Sequence, residues 1–376
     1  MNNQTTSHRM RRHIMALLTL LLTLPLPAQP RRDFTPGRLW LDTDGRIINA
    51  HGGGMLYQDG TYYWYGEHKA ERALDALVGV TCYSSTDLLN WRYEGVALSV
   101  SEDPMSPIAK GCILERPKVI YCAKTGKYVM YFHLELKGQG YGAANVGVAV
   151  SDTPVGPFTL LRNGRVNPGR WPIGMTGKEK MPDRQPEWWT PEWRAAIDKG
   201  LLVHRDHEGG QMSRDMTLYV DDDGKAYHIY SSEENLTLQV AELTDDYLSH
   251  TGRYIRIDPA GHNEAPAVMK RGGRYYMITS GCTGWAPNEA RLLTADSMMG
   301  PWTRHGNPCK GDNADKTFFS QGTYILPVAG QPDTFIFMAD RWIPDNPIDS
   351  RYVWLPIEFE DDMPVIRWRD HWRIGE

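Results

Sequence analysis

Aromatic and β-branched residues alternate with polar ones over short runs, and five of these runs follow a tight turn. They read Gly60-Thr61-Tyr62-Tyr63-Trp64-Tyr65, Gly126-Lys127-Tyr128-Val129-Met130-Tyr131, Gly224-Lys225-Ala226-Tyr227-His228-Ile229, Gly273-Arg274-Tyr275-Tyr276-Met277-Ile278 and the degenerate Asp333-Thr334-Phe335-Ile336-Phe337. Alternation with a period of two, bounded by turn residues, predicts β-strands. About ten residues before each turn, where the preceding strand begins, stands a polar side chain. These are His51, Glu115, Asp215, Glu264 and Gln321. A unit of strand, turn and strand recurring at intervals of this size predicts a radial array of sheets, an all-β five-bladed propeller in which the first strand of each blade lines a shared axis. Five polar residues would then converge on one central pocket. A β-sandwich of similar short strands is the competing architecture.

A second repeat supports the first. Ser151-Asp152-Thr153-Pro154-Val155-Gly156-Pro157-Phe158 matches Ala295-Asp296-Ser297-Met298-Met299-Gly300-Pro301-Trp302, with Ser85-Thr86-Asp87-Leu88-Leu89-Asn90-Trp91 a looser copy. In each, a polar turn ends on an aromatic residue that re-enters the next strand, as turns between outer strands require. One stretch breaks the rhythm: Arg162 to Met212 holds Trp171, Trp188, Trp189 and Trp193 together with a helix-like piece, Pro191 to Leu202. So many tryptophans oppose disorder and predict an ordered insertion, packed on the outer wall or at the pocket mouth.

The N-terminus follows a different pattern. Arg9, Arg11, Arg12 and His13 precede the apolar run Ile14 to Leu24, which ends in Pro-Leu-Pro-Ala28. That order predicts a cleaved secretory signal over residues 1–28, a mature propeller over 29–376 and a periplasmic or secreted location. Beyond it no run is apolar and long enough for stable membrane insertion. A formal charge of −5 with both signs interspersed, and no basic stripe, argues against nucleic acid as a partner. The five cysteines include no Cys-x-x-Cys pair and read as buried apolar residues, so neither a metal nor a cofactor is expected.

The chemistry lies in the upstream polar residues. Glu115 in Glu115-Arg116-Pro117-Lys118-Val119 and Glu264 in Glu264-Ala265-Pro266-Ala267-Val268 share a Glu-x-Pro-x-Val frame, and Asp215 holds the same place in the third unit. Carboxylates on one axis cannot all ionise at neutral pH, so one is expected to remain protonated as a general acid. Glycosidic cleavage needs such an acid and a second group that handles water or the anomeric carbon. Calcium binding or plain ion pairs with Arg116 and Arg214 would use the same residues.

At this point the chain resembles glycoside hydrolase family 43, the five-bladed propeller glycosidases. Asp215 with Val220-Asp221-Asp222-Asp223-Gly224-Lys225-Ala226-Tyr227 is similar to the family's third-blade segment, and Glu264 before Ala265-Pro266 to its fourth-blade acid. Ile48-Asn49-Ala50-His51-Gly52-Gly53-Gly54 lacks the first-blade Asp of ordinary members. With Trp64-Tyr65-Gly66-Glu67, Thr283-Gly284-Trp285, Asn288 and Ser320-Gln321-Gly322-Thr323 it resembles the branch that includes exo-β-1,3-galactanases. The resemblance implies Glu264 as acid, Asp215 as its modulator and Gln321, as an amide or its imidic tautomer and helped by Glu115, as the holder of water. It further implies that Glu67, Glu115, Tyr141, Asn235 and Thr283 contact a terminal galactose, while Trp285 or Trp342 could stack on a sugar face. The expected partner is an oligo- or polysaccharide, and the expected reaction is exo-acting, inverting release of galactose from β-1,3-galactan. An α-L-arabinofuranosidase, β-xylosidase or β-galactofuranosidase, or a carbohydrate-binding propeller without catalysis, would keep the same fold.

Overall fold

The computed structural model describes residues 30–175 and 184–376, so the signal reading of residues 1–28 lies outside the described residues. The chain is a five-bladed β-propeller, and each blade is an antiparallel meander. Blade one comprises β1 (His51–Gln58), β2 (Thr61–Glu67), β3 (Gly79–Ser85) and β4 (Arg92–Ser99). Blade two comprises β5 (Ile113–Cys122), β6 (Lys127–Glu135), β7 (Asn145–Ser151) and β8 (Thr159–Gly164). Blade three comprises β9 (Met216–Val220), β10 (Ala226–Ser232), β11 (Thr237–Leu243) and β12 (His250–Ile257). Blade four comprises β13 (Glu264–Arg271), β14 (Arg274–Ser280), β15 (Ala290–Ala295) and β16 (Thr303–Arg304). In blade five the antiparallel meander runs outward from β18 (Gln321–Pro327) through β19 (Phe335–Arg341) and β20 (Arg351–Glu360) to β21 (Met363–Arg367), and the short β17 (Cys309–Lys310) adds a parallel edge strand beyond β21.

The inner strands close a ring: β1 packs on β5, β5 on β9, β9 on β13, β13 on β18, and β18 on β1. Their alternate faces turn toward neighbouring blades, so the apolar residues form a separate core in each gap. Val119, Met130 and Phe132 fill the gap between blades one and two, and Val146, Met216 and Tyr230 the gap between two and three. The gap between blades one and five closes the ring, and it is built of rings itself. Trp64 lies 4.7 Å from Trp354 and 5.3 Å from Trp91, and Trp40 lies 4.9 Å from Trp354. Phe34 stacks on Trp372 at 4.3 Å while their backbones pair, so residues from both ends of the described chain seal this seam.

The insertion begins after β8. Its helical piece is broken in two, α1 (Pro191–Asp198) and α2 (Leu201–Arg205), because Gly200 adopts a left-handed conformation with φ 93°. Thr190 caps α1 by accepting from the Trp193 amide. Trp193 and Ile197 pack against Leu236 of blade three, and the Arg256 guanidinium donates to the carbonyls of Ile197 and Asp198. None of the insertion's four tryptophans lines the pocket: Trp193 is buried against the β10–β11 turn, and Trp188 and Trp189 are exposed.

Close approach of strands β1 and β2 depends on glycine. A Cβ on Gly53 would come within 1.7 Å of the Tyr65 carbonyl oxygen, whereas one on Gly306 would meet nothing within 4 Å. Gly53→Ala should therefore lower the unfolding free energy by about 1–3 kcal/mol, as overpacking does. Gly306→Ala should leave it unchanged in the same chemical denaturation experiment.

Candidate active site

Each inner strand except β9 carries an irregularity near its start. The register shifts between His51 and Gly54, between Glu115 and Lys118, between Glu264 and Ala267, and between Gly322 and Tyr324. Pro117 and Pro266 lie in these bulges, where a missing amide hydrogen costs no ladder bond. Directly after the polar residue the chain enters the left-handed region, at Gly52 (φ 60°), Arg116 (φ 54°) and Ala265 (φ 51°). For Arg116 and Ala265 this is a strained conformation, held by the surrounding sheet, and it turns the preceding side chain toward the axis. Glu115, Asp215, Glu264 and Gln321 consequently line one cavity of about 390 Å³.

The fifth upstream residue departs from the expectation of five groups in one pocket. His51 does not line that cavity: it is buried, stacked on Tyr352 at 5.0 Å and bound through Nδ1 to Asp340 at 3.3 Å. Asp340 also accepts from the Gly52 amide at 2.7 Å. A Cβ on Gly52 would come within 2.1 Å of the Glu67 Oε1, so glycine lets the Glu67 side chain take the space beside the strand.

One half of the cavity is acidic. Glu264 Oε1 accepts from Asn235 Nδ2 at 2.8 Å and from the Cys282 thiol at 3.3 Å. Burial first, and the neighbouring Asp215 charge second, push the Glu264 carboxyl up to about 7. Asp215 itself is paired with Arg116 at 2.7 Å and accepts from the Ala265 amide at 3.2 Å. The raised carboxyl of Glu264 therefore shares the site with a second carboxyl group that is engaged by a cation. Asn235 closes a run of left-handed residues, Glu233, Glu234 and Asn235, pinned because the buried Glu233 is held by both arms of Arg256 at 2.7 Å.

The other half is organised around Arg116. Its guanidinium donates to Gln321 Oε1 at 2.5 Å and to the Gly322 carbonyl at 3.2 Å, and its amide donates to Glu67 Oε1 at 2.9 Å. Trp342 Nε1 also donates to Gln321 Oε1, at 3.1 Å, while Gln321 Nε2 donates to the Ser280 hydroxyl at 3.0 Å. Both ends of the Gln321 side chain are therefore fixed, its oxygen by Arg116 and Trp342 and its nitrogen by Ser280. Glu115 accepts from Tyr141 at 3.0 Å and from His133 at 3.2 Å; burial opposes its charge, but these partners and Lys69 hold the carboxyl down at about 2. His133 bridges Glu115 and the buried Glu135, which raise it to about 9 against the cost of burial. Burial raises the Glu67 carboxyl, and Lys69 at 2.5 Å offsets part of that rise.

Of the residues expected to touch sugar, Glu67, Glu115, Tyr141, Asn235 and Trp285 line the cavity. Thr283 does not: its hydroxyl is taken up in the loop, donating to the Ala286 carbonyl at 2.6 Å and accepting from Asn288 at 2.7 Å. Trp342 lines it and meets Trp285 edge-on at 5.8 Å. Lys69, His133 and Cys282 are lining residues that the sequence reading missed. His133 had a signal, being the cross-strand partner of Glu115 when residues are counted from the Gly126 turn. Side-chain atoms of Glu115, His133 and Asp215 lie within 4.8 Å of one another, near enough for a shared cation. In this arrangement His133 Nδ1 is engaged by Glu115, and Asp215 by Arg116.

A five-bladed propeller whose axis ends in a polar cavity, with one carboxyl pushed up to about 7, another held down at about 2 and tryptophans at its edge, is a glycoside hydrolase. The comparisons agree. The model for glycosyl hydrolases family 43 matches residues 190–340. A β-D-galactofuranosidase from Aspergillus niger is 32% identical over 324 residues, 83% of this chain and 77% of its own. A family 43 β-1,3-galactosidase structure with galactodeoxynojirimycin superposes with a TM-score of 0.89 at 62% identity, covering 91% of this chain and 100% of the other. The exo-β-1,3-galactanase of Phanerochaete chrysosporium, with β-1,3-galactotriose, gives 0.73 at 31% identity over 92% and 69%. The chain belongs to glycosyl hydrolase family 43, within the branch of the exo-β-1,3-galactanases.

The raised Glu264 carboxyl has a consequence for stability. With a folded pKa above its unfolded value, the group imposes no penalty below about pH 4, and the fold loses stability as pH rises through about 7. Glu264→Gln removes that loss. Its melting temperature should match the wild type at pH 4 and exceed it at pH 8–9.

Proposed function

We propose that this enzyme is exported and removes galactose from the non-reducing ends of β-1,3-galactan chains, as in type II arabinogalactan, with inversion at the anomeric carbon. The observation that carries the reading is Glu264, pushed up to about 7 by burial and by Asp215 in the same cavity. At neutral pH about half of such a group is protonated, which suits a donor to a glycosidic oxygen. Asp215 modulates it, and its pairing with Arg116 keeps the two carboxylates apart in role. Gln321, fixed by Arg116 and Trp342, holds the attacking water through its amide, and Glu115, kept ionised by His133 and Tyr141, supports the water side. Glu67, Tyr141 and Asn235 bind hydroxyls of the terminal galactose, Trp285 or Trp342 stacks on the sugar face, and Thr283 acts only by shaping its loop. The basic and apolar N-terminus supports export, with residues 29–376 as the mature enzyme.

The β-1,3-galactosidase and exo-galactanase structures support galactopyranose as the sugar. The Aspergillus niger relative supports a second reading, hydrolysis of β-D-galactofuranosides by the same groups. Thin-layer or ion chromatography separates the two. Galactose released from β-1,3-galactan without oligosaccharide intermediates is the expected result; turnover of aryl galactofuranoside alone would replace it with the second.

Glu264→Gln should lower turnover of β-1,3-galactobiose by about 10²–10⁴-fold while retaining galactose binding, the range for loss of a general acid. Near wild-type turnover would remove Glu264 from this role.

Stereochemistry tests the water side. Proton NMR in the first minutes of reaction should show α-galactose before mutarotation, and Gln321→Ala should lose nearly all activity because the water is no longer held in line. Initial β-galactose would transfer the role from Gln321 to a carboxylate nucleophile.

A further inference from the structure

The Glu264 carboxyl is bound asymmetrically. Asn235 Nδ2 at 2.8 Å and Cys282 Sγ at 3.3 Å both reach Oε1, from different blades: Asn235 from the turn between β10 and β11, Cys282 from the loop after β14. A carboxyl oxygen that accepts from two donors is the carbonyl-like one, and the proton of the neutral acid goes to the other. We propose that Cys282 is a positioning residue which, with Asn235, fixes the acid proton of Glu264 on Oε2. The inference rests on the reading of Glu264 as the acid, and it assigns a task to a cysteine otherwise indistinguishable in the sequence from four buried ones.

The choice of sulfur follows from the task. The thiol is pushed up to about 12 by burial and then by the adjacent carboxyl, so it keeps its hydrogen and acts as a donor throughout the working range. A thiol is a weak donor. It orients the carboxyl with little stabilisation of the carboxylate, whereas a hydroxyl at the same place would bind the charged form more strongly and acidify the group. The other charged groups facing Glu264 are Asp215, which raises it, and Arg116 and Arg214, which lower it. Arg214 is itself engaged by Glu234 at 2.9 Å, and Arg116 by Asp215 at 2.7 Å. Against burial and Asp215, the thiol donor on Oε1 is one of the groups that lower it.

The test is the titration midpoint of Glu264 itself, followed by carbon-13 NMR of labelled glutamate carboxyls and assigned with Glu264→Gln, in the wild type, Cys282→Ala and Cys282→Ser. Loss of the donor should move the midpoint up, and the stronger hydroxyl donor should move it down, each by about half a pH unit, with opposite signs. The alkaline limb of kcat/KM on β-1,3-galactobiose should move in the same directions, and Cys282→Ala should lower kcat more than it raises KM. Midpoints that coincide in all three proteins would overturn the proposal, leaving Cys282 a packing residue. Midpoints that move as expected while the alkaline limb stays fixed would uphold the hydrogen bond and instead overturn the reading of Glu264 as the acid. If Cys282→Ala fails to fold, Cys282→Ser alone decides, since it alone is expected to shift the midpoint downward.

Discussion

The Arg116 guanidinium is the interaction on which the site depends. It is a buried cation at the axis of the ring, and its partners come from three other blades: Asp215 from the third, Gln321 and Gly322 from the fifth, and Glu67, through the Arg116 backbone amide, from the first. A charge in such a place is tolerable only with its hydrogen bonds satisfied. The left-handed backbone at Arg116 is part of this arrangement, because it points Glu115 into the cavity while the next side chain reaches across the axis. Removing the charge would leave Asp215 without its cation and loosen Gln321 as well, so effects at the two halves of the cavity are coupled through one side chain. Lys118, two residues on, shows the cost of a second cation there: burial first and Arg116 second push it down to about 7.

Part of the backbone strain serves the cavity. Left-handed residues without glycine occur at Arg116, at Ala265 and over Glu233, Glu234 and Asn235, each beside a cavity side chain. A relaxed strand would send alternate side chains into the gaps between blades, where the apolar cores lie. Bulges and left-handed turns release single polar residues from that alternation and aim them at the cavity. Burial of the surrounding strands holds these conformations in place.

Much of this was legible in the sequence, for a physical reason. Tight turns before aromatic strands repeat because every blade solves the same packing problem, so five inner strands and four cavity residues follow from one period. Counting across the hairpins would have added His133 opposite Glu115 and Asp340 opposite Gln321. The retreat of His51 from the cavity was not legible, since it depends on Asp340 and Tyr352 in another blade. Cys282 and the loop-bound hydroxyl of Thr283 were hidden likewise, because loop conformation carries no periodicity. The break in the insertion's helix had a signal in Gly200, a residue that stops a helix by turning left-handed.

The tryptophan seam between blades one and five has a mechanical meaning. The described cysteines are all free, so no disulfide locks the ring, and the seam is a clasp of indoles packed edge-on or tilted and one backbone pairing near the two ends of the described chain. In a closed ring each blade is braced from both sides, and parting any one gap relieves the rest at once. The clasp at Trp64 and Trp354 therefore guards the alignment of Glu264 and Gln321, although neither tryptophan lines their cavity.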